Sequence, residues 1–329
     1  MKNKSKDEEL RSVAVDLDNK LFRMTKFEKS VQATDITLGS NCNDFGRIHH
    51  FNHHKNNDWL PNPLPHQPVG EFFGKEMPDT LQVEVFQLAV CNFHCWYCFV
   101  DKNLRKGDPK YSEMVSAEYL LNLSKKENRP PVIVLSGGQP DLVPEYQLWF
   151  LEARKTLEMD KSHFIWSDDN LSNDFFWTKL TDDQRNFMKN EKGYARVACL
   201  KGYDPESFSF NTGMPKQMFL QQIQRLARFY RAGFNQYGYI TLTTPTCKNI
   251  DTKIPYLFDK IQTEISEDFL LRIVPLEIFQ YNVNSSEFHK QASRNQYNVL
   301  DVWRKELEKR FPSSVRENAF RKMRDVHER

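Results

Sequence analysis

No apolar run in this 329-residue chain approaches the ~20 residues a membrane-spanning helix needs. The segment from Met1 to Lys20 is charged throughout, where an exported chain carries an apolar signal core. Together these absences predict a cytoplasmic protein. An excess of one charge is missing too: 46 Lys and Arg stand against 44 Asp and Glu, so there is no basic stripe of the kind that neutralises nucleic-acid phosphates. Neither nucleic acid nor membrane is therefore expected as a partner. Cysteine is too scarce for a disulfide scaffold, with six in so long a chain. Three of them, Cys91, Cys95 and Cys98, crowd into eight positions, a spacing that suits a metal better than crosslinks, while Cys42, Cys199 and Cys247 are scattered.

What is present from Leu81 onward is an alternation of strand-like and helix-like runs, the signature of a parallel sheet built from βα units. The strand candidates are Leu81 to Val90, Val132 to Ser136, Ser162 to Ser167, Tyr194 to Lys201, Gln236 to Thr243 and Phe269 to Leu276. Between the fifth and its predecessor, Phe219, Ile223, Leu226, Ala227 and Tyr230 fall on one helical face over Gln217 to Ala232, and Gly233 stops the helix. Six such units close into a partial barrel or lie open as a doubly wound sheet; in both, chemistry collects at the strands' C-terminal ends. The expected fold is α/β, a partial (β/α)6 TIM-type barrel over residues 81–290. An N-terminal extension, 1–80, precedes it, with one amphipathic helix from Asp7 to Lys29 and a loop-rich, proline-rich cover. A C-terminal helical segment, 291–329, follows, with Val299, Val302, Trp303 and Leu307 as its buried stripe and Arg316 to Arg329 as a solvated helix or tail.

Cys91-Asn92-Phe93-His94-Cys95-Trp96-Tyr97-Cys98 is C-x3-C-x2-C directly after the first strand. Three thiolates in one loop grip three irons of a cubane and leave the fourth open to a small molecule. The competing reading is a structural zinc completed by His94, Cys42 or another distant group. Zinc normally takes a closed tetrahedral set, often from paired C-x2-C knuckles, and no second knuckle exists here.

The cysteine motif, its position, and the Gly137-Gly138-Gln139-Pro140 turn after the second strand resemble the radical SAM superfamily, over about Leu81 to Gln280. The resemblance implies that Cys91, Cys95 and Cys98 hold one 4Fe–4S cluster and that S-adenosylmethionine chelates the fourth iron. Reductive cleavage of the S–C5′ bond then gives methionine and a 5′-deoxyadenosyl radical, which abstracts hydrogen from a small-molecule or peptide substrate. An electron donor such as a flavodoxin or ferredoxin is implied as a partner. By the same resemblance, Tyr97, preceding the third cysteine, contacts adenine through its backbone. Ser136, Gly137, Gly138 and Gln139, with Pro140, form the turn that binds the cofactor's amino group, although Gln139 stands where a Glu is usual and adds no charge beside an ammonium. Asp168-Asp169-Asn170 is similar to the Asp-Thr-Asn-Gly turn of activases of glycyl radical enzymes, and the region from Ala198 to Gly213 is similar to their fourth strand. Asp168 and Lys201 are thereby implied to hold methionyl and ribose groups, with Asn170 beside them. Strand alternation places Val197, Cys199 and Lys201 on one face, the lumen side if Ala198 and Leu200 face the helices.

Other signals are weaker. His49, His50, His53 and His54 have the composition of a metal tract, although such runs in loops are often incidental. Cys199 reads as a buried gap-filler or as a thiol that passes hydrogen to a radical. Tyr237, Tyr239, Thr241 and Thr243 alternate on one strand face, which either lines a substrate pocket or packs the barrel. Arg272 is available to a substrate carboxylate or to Glu84. Two other functions stand beside the leading one: an activase that installs a glycyl radical in a partner enzyme, against which the 80-residue extension argues, and a non-catalytic protein that a metal staples together.

Overall fold

The computed structural model describes residues 5–28, 30, 39–52, 62, 64–278 and 286–315. The chain opens on α1 (Lys6–Ala14), β1 (Val15–Asp16), β2 (Leu21–Thr25), β3 (Gly46–Asn52) and α2 (His66–Phe73). It continues through β4 (Thr80–Gln87), β5 (Ser112–Val115), α3 (Ala117–Lys126), β6 (Val132–Ser136), α4 (Pro144–Thr156), β7 (Phe164–Asp169), α5 (Phe175–Lys179) and α6 (Asp182–Asn190). The last third holds β8 (Tyr194–Leu200), α7 (Pro205–Thr212), α8 (Met218–Arg231), β9 (Gln236–Thr241), α9 (Ile250–Glu264), β10 (Ile273–Leu276) and α10 (Glu287–Arg310). Among the described residues no helix is long and apolar enough to cross a membrane.

Seven strands form one sheet in the order β10-β9-β8-β7-β6-β4-β3. β4 with β6, β6 with β7, and β9 with β10 pair in parallel, whereas β3 is antiparallel on β4. The six strands from β4 to β10 that belong to this sheet follow one another in chain order, with helices between most of them. This is the connectivity of a partial (β/α)6 barrel, joined at one edge by β3, a strand the sequence pattern did not suggest. A separate small sheet, β1-β2-β5, holds the N-terminal hairpin. The chain forms two compact units: Met1–Asn52, Pro68–Asn92 and Val100–Val197 in one, His53–Gln67, Phe93–Phe99 and Ala198–Arg329 in the other.

The expected helix from Asp7 to Lys29 is corrected. Ser5 caps α1 by accepting from the Glu8 amide, and Asp7, Glu8 and Glu9 complement the helix N-terminus. The helix nevertheless stops at Ala14. Asp16 accepts from both the backbone and side chain of Asn19, and Lys20 turns left-handed at φ 51°, so a reversal replaces the next helical turn. Phe22 and Met24 then bury fully on one face of β2 while Leu17 is exposed. The helix is anchored by Arg11, which forms a buried two-point ion pair with Glu145 of α4 at 2.8 and 2.5 Å. Removing one partner of such a pair strands the other charge and costs about 3–5 kcal/mol. The last strand is also shorter than Phe269 to Leu276, because Phe269–Arg272 is a 3-10 turn. α10 begins earlier than Gln291, where Ser286 accepts from the His289 amide. Pro61, Pro63 and the tail from Arg316 lie outside the described residues.

Glu84 is fully buried on β4, and neither carboxylate oxygen has a hydrogen-bond partner. It sits beside Asn41 over Gly46, where any Cβ would overlap both side chains. The pairing with Arg272 that the sequence allowed is not formed: Arg272 lies 5.1 Å from the centre of the Tyr237 ring and donates to the Gln236 carbonyl. Burial pushes the Glu84 carboxyl up to about 8, with Glu127 adding to the effect and Arg129 and Arg47 offsetting part of it. A carboxyl whose folded pKa lies above its unfolded value stabilises the fold fully below the unfolded value, and that contribution is lost as pH rises through about 8. Urea unfolding is expected to show Glu84→Gln close to wild type at pH 5 and more stable than wild type at pH 9. A stability difference that does not change with pH would contradict the assignment.

Candidate functional site

The chain leaving β4 is held on both sides. Leu88 donates to the Ser136 carbonyl at 3.2 Å, Ala89 to Arg23 at 3.0 Å, and Cys91 to Arg105 at 3.0 Å, while Gly107 donates back to Ala89 at 2.7 Å. The 137–140 turn closes over the same segment. Gly137 and Gly138 are consecutive left-handed residues, at φ 62° and 56°, and Gln139 donates to the Val90 carbonyl at 2.6 Å. A Cβ on Gly138 would overlap the carbonyl oxygens of Leu88 and Val90, so only glycine admits this approach.

The third turn, after β7, is tied to the second. Ser136 Oγ donates to Asp168 Oδ2 at 2.6 Å, Gln139 Nε2 donates to Asp169 Oδ1 at 2.7 Å, and the Asn170 amide donates to Gln139 Oε1 at 2.8 Å. Gln139 is only 1% exposed, so both ends of its side chain are engaged inside the protein. This places the glutamine in a clamp between two turns. Behind it, Arg196 of β8 donates to Asp141 at 2.8 Å and to Asp169 at 3.2 Å, and Gln147 of α4 donates to Asp141. Burial, then the neighbouring Asp141 charge, raise the Asp169 carboxyl, and Arg196 only partly offsets them. Sequence reasoning missed Arg196. Its one available signal was a lone cation inside an otherwise apolar strand.

The rest of the cysteine loop packs with the later strands. Cys98 donates its amide to the Cys95 carbonyl at 3.2 Å, and His94 and Trp96 donate to the Thr212 and Asn211 carbonyls at 3.0 and 3.3 Å. Asn211, fully buried in α7, accepts from Trp96 Nε1 at 3.1 Å and from Thr243 at 2.7 Å, and donates to the Lys201 and Thr243 carbonyls. It was also missed, although it lies within the region from Ala198 to Gly213. The Tyr97 hydroxyl lies 3.0 Å from Thr241 Oγ1, and Lys201 Nζ lies 6.0 Å from the centre of the Tyr97 ring. Burial opposes the lysine's charge, but Cys199, Tyr97, Cys95 and Cys98 outweigh it and hold the ammonium above the ordinary range. The Tyr237–Thr243 face is taken up in part by these contacts and in part by Tyr239, whose hydroxyl donates to Asn62 at 2.8 Å.

None of the six cysteines forms a disulfide. Cys42 and Cys199 are buried, whereas Cys91, Cys95 and Cys98 are partly exposed. Among the described residues no three His, Cys, Asp or Glu side chains are gathered closely enough to share one ion. A cubane makes no such demand, because each thiolate binds a different iron. Three thiols within eight residues are a donor set that fits a cubane. His49 packs edge-on against Phe51 at 4.8 Å, and burial pushes its imidazole down to about 3. His50 pairs with Gln82 at 3.2 Å, while His53 and His54 lie outside the described residues.

No protein-family model and no curated protein sequence matches the chain. Among solved structures, SuiB of Streptococcus suis bound to S-adenosylmethionine is similar with a TM-score of 0.44 and 14% identity, over 69% of this chain and 47% of that one. A spore photoproduct lyase mutant with bound AdoMet and dinucleoside spore photoproduct gives 0.43 and 11%, over 68% and 72%. The protein anSMEcpe with bound AdoMet and a peptide gives 0.41 and 14%, over 67% and 58%. The chain thus spans about half the length of SuiB. At these levels of identity no likeness assigns an activity to this chain.

Gly138→Ala is expected to destabilise the protein by about 2–4 kcal/mol in urea unfolding, since it forces a side chain into a left-handed, backbone-filled position. Wild-type stability in that variant would contradict the geometry of the turn.

Proposed function

We propose that the protein is a radical SAM enzyme with a single 4Fe–4S cluster on Cys91, Cys95 and Cys98. The observation that carries the reading is the lock between turns: the 137–140 turn bonds to Val90, the residue before Cys91, and Gln139 bonds to the turn after β7. Three chain segments that lie far apart in sequence are thereby fixed around the first cysteine. When bound, the cluster and its S-adenosylmethionine supply one-electron cleavage of the S–C5′ bond and the 5′-deoxyadenosyl radical that abstracts hydrogen from a small molecule or peptide.

The chain's own residues bind and orient. The Ser136–Gly138 backbone receives the cofactor's amino group. Asp168 offers a carboxylate to the methionyl end, oriented by Ser136 Oγ. Lys201 presents a firmly charged ammonium to the ribose and carboxylate oxygens, and the backbone at Tyr97 meets adenine, with the ring fixed by Thr241. Gln139 acts as a positioning residue, since its amide is committed to Asp169 and Asn170. An electron donor such as a flavodoxin or ferredoxin supplies the electron.

Purification without oxygen is expected to yield about four iron and four sulfide per chain. Reduction in the presence of S-adenosylmethionine should then release 5′-deoxyadenosine. Cys95→Ala and Cys98→Ala should lose both the iron and the product while remaining folded by circular dichroism. Zinc in place of iron, with no 5′-deoxyadenosine, would contradict the reading and favour a metal-stapled fold.

A further inference from the structure

Cys91 is followed by Asn92, a residue 2% exposed whose amide is fixed from outside the loop. Its Nδ2 donates to Asp7 Oδ1 of α1 at 2.9 Å and to Ser172 Oγ at 2.9 Å. Because a carboxylate only accepts, the nitrogen must face Asp7, and the oxygen Oδ1 therefore faces the other way. There it accepts from Asn170 Nδ2 at 3.3 Å. That contact fixes the second amide in turn. Asn170 Oδ1 accepts from the Ser172 amide at 3.0 Å, and the remaining Nδ2 hydrogen is directed at Cys91 Sγ, 4.0 Å away. All four amide hydrogens of the two asparagines are used, and each orientation follows from the one before it, starting at Asp7.

We infer that Asn170 donates a hydrogen bond to the Cys91 sulfur, oriented by the relay Asp7–Asn92, and that this relay tunes the reduction potential of the bound cluster. The inference rests on the cluster proposed above and changes the place of Asn170 within it, from a cofactor contact to a sulfur contact. Reduction adds negative charge that spreads over the cluster and its thiolates, and an N–H dipole aimed at one sulfur stabilises the reduced form more than the oxidised one. The donor therefore raises the potential and eases delivery of the electron. It also gives the N-terminal helix a direct role: α1, anchored by Arg11 on Glu145, carries the carboxylate that sets the relay's direction. Asp7 and Asn92 are 85 residues apart in sequence, so the arrangement exists only in the folded chain.

The test is a redox titration of the reconstituted cluster without S-adenosylmethionine, followed by the electron-spin signal of the reduced form. Asn170→Ala is expected to shift the midpoint to more negative potential, Asn170→Asp further still, and Asp7→Ala in the same direction by less, all at wild-type iron content. A residue that only braces the loop would alter stability or iron content and leave the midpoint in place. Asn170→Ala and Asn170→Asp titrating at the wild-type midpoint would overturn the sulfur contact. If these two fail to load iron, Asp7→Ala decides, and a loaded Asp7→Ala at the wild-type midpoint overturns the relay. A wild-type chain that assembles no cluster is a different outcome, which overturns the proposed function itself.

Discussion

Two residues in the left-handed region, Gly137 and Gly138, let the Gln87 side chain lie where a side chain on Gly137 would stand and the carbonyls of Leu88 and Val90 where one on Gly138 would. The order around Cys91 depends on that approach. With the turn seated, Gln139 reaches both the Val90 carbonyl through its backbone and the turn after β7 through its side chain. Any larger residue at 138 would lift the turn off the strand, and Asp168, Asp169 and Asn170 would lose their common support. A sheet places strand ends side by side, but it does not fix the loops beyond them; here the hydrogen bonds between successive loops do that.

Charge inside this part of the molecule is arranged with the same economy. One fully buried guanidinium, Arg196, serves two carboxylates, Asp141 and Asp169, so the trio carries a surplus of one negative charge unless a proton is retained. Burial of that surplus accounts for the raised Asp169 carboxyl. Breaking such a network by removing Arg196 would leave both carboxylates buried and unmatched, a penalty of about 3–5 kcal/mol. The network reaches the turn through Asp169, which accepts from both Arg196 and Gln139.

Much of the barrel was legible in the sequence because its strands are short apolar runs punctuated by polar ends, as Val132–Ser136 shows. The N-terminal segment was not. Val13, Leu17 and Leu21 fall at helical spacing, but the Asp16–Asn19 turn outweighs that periodicity, and the chain reverses into a hairpin. β3 escaped notice because His49, His50 and Arg47 interrupt the apolar residues Ile48 and Phe51 that it buries. The cysteine loop was visible because its spacing is covalent and needs no fold to reveal it. Arg196, Asn92, Asn211 and Asp7 were not visible, since each matters through partners tens of residues away. An alternating pattern can assign a residue to a face, but it cannot say which distant amide will meet it there.

The central claim is that the polypeptide supplies three thiolates to a cubane and leaves one iron to S-adenosylmethionine. Electron–nuclear double resonance on the reduced protein, with the cofactor labelled with nitrogen-15 at its amino group, tests it most directly. A nitrogen-15 coupling that appears with labelled cofactor, and disappears in Cys95→Ala, is the expected result. A cluster whose spectrum does not respond to the cofactor would mean that a protein side chain already closes the fourth iron, and would contradict the account.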